Sequence, residues 1–291
     1  MRAHRTLIVS VIAALVLVVP TGALAAKQLI VGGSTSVLPL MQKLTAAYHR
    51  AYPKVPAPKV SGGQSDIGIS GAAAGSLDIG DSSRDPIRGV DPKGLVFTKI
   101  ARDGVCIVTN SANPLSNLSQ TEVEGIFTGK IHDWSEVAGA KATGPIALFQ
   151  RTSASGTEDA FQHIFLGEYL KISPSAVPEA SNGLMQLHVE KNEKAIGFVS
   201  FAYTAGLHPV PYQGVACNLR NARSGQYEGV RNFWMVTKGA HIGPYITNEE
   251  TGQREKELVT PPGPALNFIK WVVSGNATTK KIVNSNWIAV Y

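Results

Sequence analysis

Beyond Val19 no apolar run approaches the roughly 18 residues that a membrane-spanning helix needs, so the rest of the chain is read as having no membrane span. Enzyme signatures are equally scarce. There is no G-x-S-x-G elbow: Gly32-Gly33-Ser34-Thr35-Ser36 ends in Ser, and Ser155 lacks the first Gly. No P-loop, no GxGxxG and no H-E-x-x-H occurs. The seven His residues are scattered; Asp159 and His163, four apart on one helix face, read as a surface pair rather than a metal site. No nucleophile comes with an evident base. We therefore expect no catalytic residue, no metal site, no cofactor and no enzyme activity. No basic run is interleaved with aromatics, which excludes nucleic acid as the expected partner, and no repeat of 20 to 50 residues marks a solenoid.

Two cysteines only, Cys106 and Cys217, occur in 291 residues. In an exported chain they read as one structural disulfide; their apolar, strand-like surroundings suit free buried thiols as well, and both readings stand. Export itself is read from the N-terminus. Arg2 and Arg5 precede an apolar run from Leu7 to Val19, followed by Pro20, Gly22 and Ala23-Leu24-Ala25. This is the pattern of a secretory signal peptide over residues 1–25 with an A-x-A cleavage site. No Cys follows the run, so no lipid anchor is expected there, and the mature chain is expected in a periplasm. Removing Arg2 and Arg5 lowers the formal net charge from +6 to +4, a mild basicity that suits an anionic small ligand.

Along the chain, short apolar strands alternate with loops and helices. Lys27–Gly32 reads as a strand and Val37–Tyr52 as a helix with Leu40, Met41, Leu44, Ala47 and Tyr48 at helical spacing. Lys59-Val60 and Leu77–Gly80 read as further strands around a small-residue helix. That repetition argues for an α/β lobe with a largely parallel sheet. Leu95–Asn110, interrupted at Arg102-Asp103-Gly104, reads as a crossing into a second lobe; Ala195–Val199 could carry the chain back. Asn248–Glu257 reads as a polar loop.

Three strands end in small hydroxylic residues that begin a helix: Ser34-Thr35-Ser36, Gln64-Ser65-Asp66 and Ser155-Gly156-Thr157. Ser82-Ser83-Arg84 follows a fourth strand. Ligands in α/β sheets bind beyond the carboxyl ends of strands, and helix starts offer unpaired N–H groups and a positive dipole end. Arg151, six residues before Thr157, adds a planar charged donor fork. The combination is a pocket for a tetrahedral oxyanion. The plain alternative is that each Ser or Thr merely caps its helix.

Four segments resemble the phosphate-binding proteins of high-affinity phosphate ABC transporters. They are Gly33–Leu40, Asp78–Arg84, Ile126–Trp134 (Ile-Phe-x-Gly-x-Ile-x-x-Trp), and Arg151–Thr157 with Phe161. The resemblance implies an α/β, two-lobed periplasmic-binding fold of type II, its cleft between lobes joined by a two-strand hinge. Lobe I would comprise 26–100 and 203–291, lobe II 101–202. It implies a monomer that captures inorganic phosphate and delivers it to an ABC-type membrane permease. Carried over by position, ligand contacts fall on Thr35, Ser36, Ser65, Ser83, Arg151, Ser155, Gly156 and Thr157. Some family members carry an Asp, a proton acceptor, where this chain has Ser83; Asp66 or Asp81 could take that role. The alternatives are a receptor for sulfate, molybdate or tungstate, and a phosphatase-like enzyme.

Overall fold

A computed structural model of the protein describes residues 27–290; the expected signal peptide lies outside them. The elements run β1 (Ile30–Ser34), α1 (Leu38–Ala51), β2 (Lys59–Gly63), α2 (Ser65–Ala74), β3 (Ile79–Ser82), β4 (Leu95–Asn110), α3 (Gln120–Phe127), β5 (Ala147–Arg151), α4 (Gly156–Phe161), β6 (Val177–Glu179), α5 (Asn182–Lys191), β7 (Ala195–Ser200), β8 (Leu207–Pro209), α6 (Leu219–Ser224), β9 (Val230–Lys238), β10 (Ala240–Thr247), β11 (Arg254–Val259), α7 (Pro264–Val273) and α8 (Ala277–Asn286). Among the described residues no helix is long and apolar enough to cross a membrane.

One sheet, ordered β2-β1-β3-β9-β4-β7-β5-β6 with β8 on β4, runs through the molecule. Its two outer thirds are parallel, β2-β1-β3, as the strand–helix alternation predicts, and β7-β5-β6 as well. The middle is antiparallel: β9 pairs with both β3 and β4, and β4 with β7. Two apolar clusters lie along this sheet. Val31, Leu40, Leu44, Phe233, Phe268 and Trp287 belong to the first, and Val105, Ile107, Phe127, Trp134, Phe161 and Phe198 to the second. Each fully buried aliphatic or Phe side chain contributes about 1.5–3 kcal/mol by leaving water, which is enough for each cluster to organise its own lobe.

Strand β4 passes from one cluster to the other within a few residues. Ile100 and Ala101 sit in the first, Val105 to Val108 in the second. Strand β9 runs back beside it, paired from Leu95↔Lys238 to Gly104↔Val230 with one register shift between Lys99 and Ala101, and with Val230 against the second cluster and Phe233 and Met235 in the first. These two strands are the crossing, and Asp103 lies directly opposite Arg231 on it.

Two expectations need correcting. The return to the first lobe does not fall at residue 203: Leu207, Val210, Tyr212, Cys217, Ala222 and Tyr227 all pack into the second cluster. The physical reason is partly covalent. Cys106 and Cys217 are bonded, with Cα atoms 5.6 Å apart, which fastens this segment to β4. The disulfide reading therefore holds over the free thiols. The Asn248–Glu257 stretch is not simply a loop either; β10 and β11 form an antiparallel hairpin whose second strand starts at Arg254. Its charged, largely solvated residues give no apolar alternation for a sequence reading to detect.

The disulfide closes a sequence separation of 111 residues, a large loop to constrain in the unfolded chain. C106A/C217A should lose about 3 kcal/mol of stability in urea titrations at fixed pH; a loss under about 0.5 kcal/mol would show that the bond adds nothing to the packing of Tyr212 and Tyr227.

Candidate anion site between the lobes

Each hydroxylic loop is placed by the strand before it. β1 delivers Ser34–Ser36 to the start of α1, and its Gly33 has φ 137°, with the position of a Cβ only 2.9 Å from the Asp81 nitrogen and from the Gly68 Cα. A side chain there would push α2 off the sheet. β5 ends at Arg151, and four residues later Ser155 caps α4, its Oγ accepting from the Thr157 N–H at 3.1 Å. Phe161, stacked on Phe198 with centroids 4.0 Å apart, fixes the far end of α4 in the second core.

Ser36, Ser65, Ser83, Arg151, Ser155, Gly156 and Thr157 come together, all buried. The two halves touch: Ser36 Oγ lies 3.0 Å from Thr157 Oγ1. Ser65 Oγ accepts from the Ser83 N–H at 3.0 Å and stands 3.3 Å from Ser83 Oγ. Gly156 packs against the facing loop so tightly that a Cβ would meet Ser65 Oγ and come within 2.7 Å of the Arg84 nitrogen. At α2, the Asp66 N–H donates across the cleft to the Ala154 carbonyl at 3.2 Å. Thr35 is the one partly exposed member, its Oγ1 accepting from Asn182 Nδ2 at 3.1 Å and its carbonyl from the Tyr203 hydroxyl at 2.8 Å.

Arg151 is held by its edges. Nε donates to the Glu179 carbonyl at 3.0 Å and Nη2 to the Ala180 carbonyl at 3.2 Å, leaving Nη1 towards Thr157 Oγ1 at 3.4 Å. Burial, and then the charge of Arg231, bring its pKa down to about 10, so it stays cationic at neutral pH. Beneath it the Glu158 carboxylate accepts the Arg151 backbone N–H at 2.8 Å. Burial raises the Glu158 pKa to about 7, against the pull of that bond and of the Arg151 charge.

Neither of the two candidate acceptor carboxylates hydrogen-bonds to a residue of the ring. Asp66 reaches outwards to Arg84, Oδ1 2.8 Å from Nη2, with its side chain 47% exposed. Arg84 binds Asp91 as well, at 2.6 Å, so Asp66 completes an ion cluster of which it is the exposed member. Asp81 is buried with neither oxygen hydrogen-bonded, and burial pushes its pKa well up. Asp159 and His163 form the surface pair expected of them, 3.6 Å apart.

Sequence reasoning missed three participants. Arg231, on the crossing, donates from Nη2 to Ser36 Oγ at 2.8 Å, and from Nη1 to the Gly156 carbonyl at 3.1 Å and to Ser83 Oγ at 3.3 Å. Asp103 holds that guanidinium from the neighbouring strand, Oδ2 to Nη2 at 3.0 Å, with both side chains almost fully buried. Burial pushes the Asp103 pKa up and the Arg231 pKa down, each opposed by the other's charge. Asn182, at the start of α5, donates to Ser36 Oγ at 2.8 Å. The signal for Asp103 was present as a charge interrupting the apolar stretch Leu95–Asn110. Arg231, entering an apolar strand with no hydroxylic loop beside it, offered none.

Two lobes with separate cores, joined by two crossing strands and closing on a buried ring of hydroxyls, N–H groups and guanidinium forks, define a ligand-clasping binding protein with a type II periplasmic-binding-protein fold. The chain belongs to the PBP superfamily, whose domain model matches residues 18–276. It is similar to phosphate-binding protein PstS 2 of Streptococcus agalactiae, 39% identical over 111 residues, an alignment spanning 38% of each protein. With phosphate-binding protein PstS of Bacillus subtilis it shares 26% identity over 249 residues, 82% of this chain and 80% of that one. Among solved structures it resembles one described as a phosphate ABC transporter substrate-binding protein from Clostridium perfringens with bound phosphate. The TM-score there is 0.77 and the identity 28%, covering 91% of this chain and 100% of the other.

Two consequences can be measured. Gly156→Ala should prevent full apposition of the lobes and weaken anion binding by about 1–3 kcal/mol, the range for overpacking a filled site; unchanged affinity in calorimetric titration would mean the ring closes without this contact. For Glu158, a folded-state pKa of about 7 against 4.5 means the folded state holds more protons between those values. Stability should therefore fall as pH rises through that window and level off above it. Urea midpoints of wild type minus those of E158Q, taken from pH 4.5 to above 7, should show this decline; a flat difference would place the Glu158 pKa at its ordinary value.

Proposed function

We propose that this chain is an exported, non-enzymatic receptor that captures inorganic phosphate between its lobes and delivers it to an ABC-type membrane permease, acting in the periplasm as a monomer. One observation carries the reading: Arg151 and Ser155–Thr157 of one lobe face Ser36, Ser65 and Ser83 of the other in a single buried ring. The names of the streptococcal, bacillar and clostridial relatives point to the same ligand.

The chemistry follows from the donors. Arg151 offers Nη1 from a fork whose other edge is already fixed, so little freedom is lost on binding. The N–H groups at the start of α4 and the hydroxyls of Thr157 and Ser65 surround the remaining oxygens. Arg231 supplies a second buried cation beneath the ring, partly neutralised by Asp103. A divalent oxyanion between two guanidinium groups offsets their mutual repulsion, which a neutral ligand could not do.

A second tetrahedral oxyanion, sulfate above all, is favoured by a specific feature. The possible acceptor Asp66 is engaged by Arg84, and by the family resemblance Ser83 occupies a position where some members carry an Asp. A ring of donors suits a fully deprotonated anion as well as a protonated one.

Calorimetric titration of the ligand-stripped protein decides between them. Uptake of phosphate at micromolar concentration, undisturbed by equimolar sulfate, is the expected result. No heat with phosphate sinks the proposal, and displacement by sulfate at equal concentration moves it to the broader oxyanion class. Arg151→Ala should cost at least about 2 kcal/mol of binding, as expected when a buried charge loses its partner. A change within a factor of three would place Arg151 outside the contact set.

A further inference from the structure

The surplus positive charge of the chain is not spread evenly. Residues 27–65 hold five Lys or Arg and not one Asp or Glu, and residues 258–291 hold three and again none. The fold brings these two ends together. α1 packs against α7, α8, β1 and β2, and none of these five elements contains a carboxylate. Lys43, Arg50, Lys280 and Lys281 are exposed, and none of them is ion-paired among the described residues. Surface cations usually lie among carboxylates; a face assembled from five elements without one is a single-sign field.

That face is also grooved. α1 and α8 leave an open hollow of about 560 Å³ lined by Lys43, Arg50, Thr278, Lys281, Ile282 and Ser285. It continues along α1 into a second hollow of about 440 Å³ that shares Lys43, Arg50 and Ile282 and reaches Pro39. Cations stand along a floor that includes Ile282, Ala46 and Pro39. Of the large exposed apolar side chains only Tyr52, at the end of α1, belongs to these five elements or their caps, whereas Ile242, Tyr245 and Ile246 cluster on the β10–β11 hairpin. A flat headgroup surface would leave the hollow unfilled, whereas a ridge of mixed Glu and apolar residues would fill it and neutralise its rim.

We infer that the α1–α8 groove is a docking surface for an acidic, partly apolar segment of a partner protein. It is a site distinct from the ring between the lobes, and the inference does not depend on which anion that ring takes. Its position has a consequence. α1 begins just after Ser36, so a partner seated along α1 touches the helix that carries one wall of the ring.

The test uses the full mature chain and a fluorescein-labelled peptide in which Leu follows each pair of Glu residues. Wild type should bind it, more weakly as salt rises from about 50 to 300 mM. K43E/R50E/K281E should weaken binding at least about tenfold, the sum expected of three surface charges. The control K130E/K171E/K191E carries the same change in net charge on exposed residues of the other lobe and should bind as wild type does. Should charge reversal disturb folding by circular dichroism, K43Q/R50Q/K281Q replaces it and should give the same order with a smaller loss. An equal loss in the groove and control variants, or no binding of the peptide by wild type, overturns the inference. So does retention of wild type on phosphatidylglycerol vesicles that is abolished by the groove variant, since the occupant would then be a lipid surface.

Discussion

Everything in the cleft is referred to one buried ion pair, Asp103 with Arg231. Taking two charges out of water is expensive, and their attraction compensates only if the remaining donors and lone pairs are also satisfied. Asp103 uses one oxygen on the guanidinium. The other guanidinium hydrogens go to Ser36, Ser83 and the Gly156 carbonyl. The first two belong to loops of the first lobe and the third to the second lobe. The pair sits where β4 and β9 cross, between the two cores, so it is the point about which the lobes can move least. The closed arrangement is thus the one in which every guanidinium hydrogen of Arg231 has a protein acceptor, while the second carboxylate oxygen of Asp103 is buried without a hydrogen bond. When the lobes part, Gly156 leaves Arg231, and water must replace its carbonyl.

The same pair sets the electrostatics of the ring. The charge of Arg231 lowers the affinity of Arg151 for its proton, as the second cause after burial of a pKa of about 10. Glu158 offsets part of that lowering at Arg151, and Asp103 does so at Arg231. This explains why a mildly basic composition was a weak guide. The cations that matter to the ring are two arginines, while most of the surplus lies on the α1–α8 face and serves nothing in the cleft.

Legibility in the sequence followed the range of the interactions. The Arg151–Thr157 segment could be read because its strand, turn, cap and helix are consecutive, and local geometry alone brings its donors together. Ser36 and Ser65 could be read because each repeats that local pattern, whereas Ser83, which follows β3 with no helix after it, was reached by its position in the family resemblance. Asn182 and Arg231 could not, since each acts on residues about 150 or more positions away and carries no local motif. The lobe boundary failed for a related reason. Residues 203–228 are held to the second lobe by side-chain packing and by Cys217, and neither leaves a periodic trace. The alternation of strands and helices predicted a largely parallel sheet in the first lobe but neither the parallel strands of the second nor the antiparallel seam that joins them.

The hydroxyl network bears on selectivity more directly than any carboxylate does. Ser36 Oγ receives N–H bonds from Asn182 and Arg231, so its own hydrogen is directed to Thr157 Oγ1. Ser83 Oγ receives bonds from Ser34 and Arg231, which occupies both of its lone pairs. Ser83 is therefore a donor in this arrangement, and it cannot meet a protonated ligand oxygen while Ser34 points at it. Ser34 in turn accepts the Ser36 N–H at 3.2 Å, so its orientation is tied to the loop that closes on the other lobe. Rejection of a fully deprotonated anion then requires Ser34 to turn its hydrogen away and free a lone pair on Ser83. For the proposed phosphate receptor, discrimination is then a matter of how these hydroxyl protons are ordered, and Ser34 on β1 with Ser83 just beyond β3 holds that order.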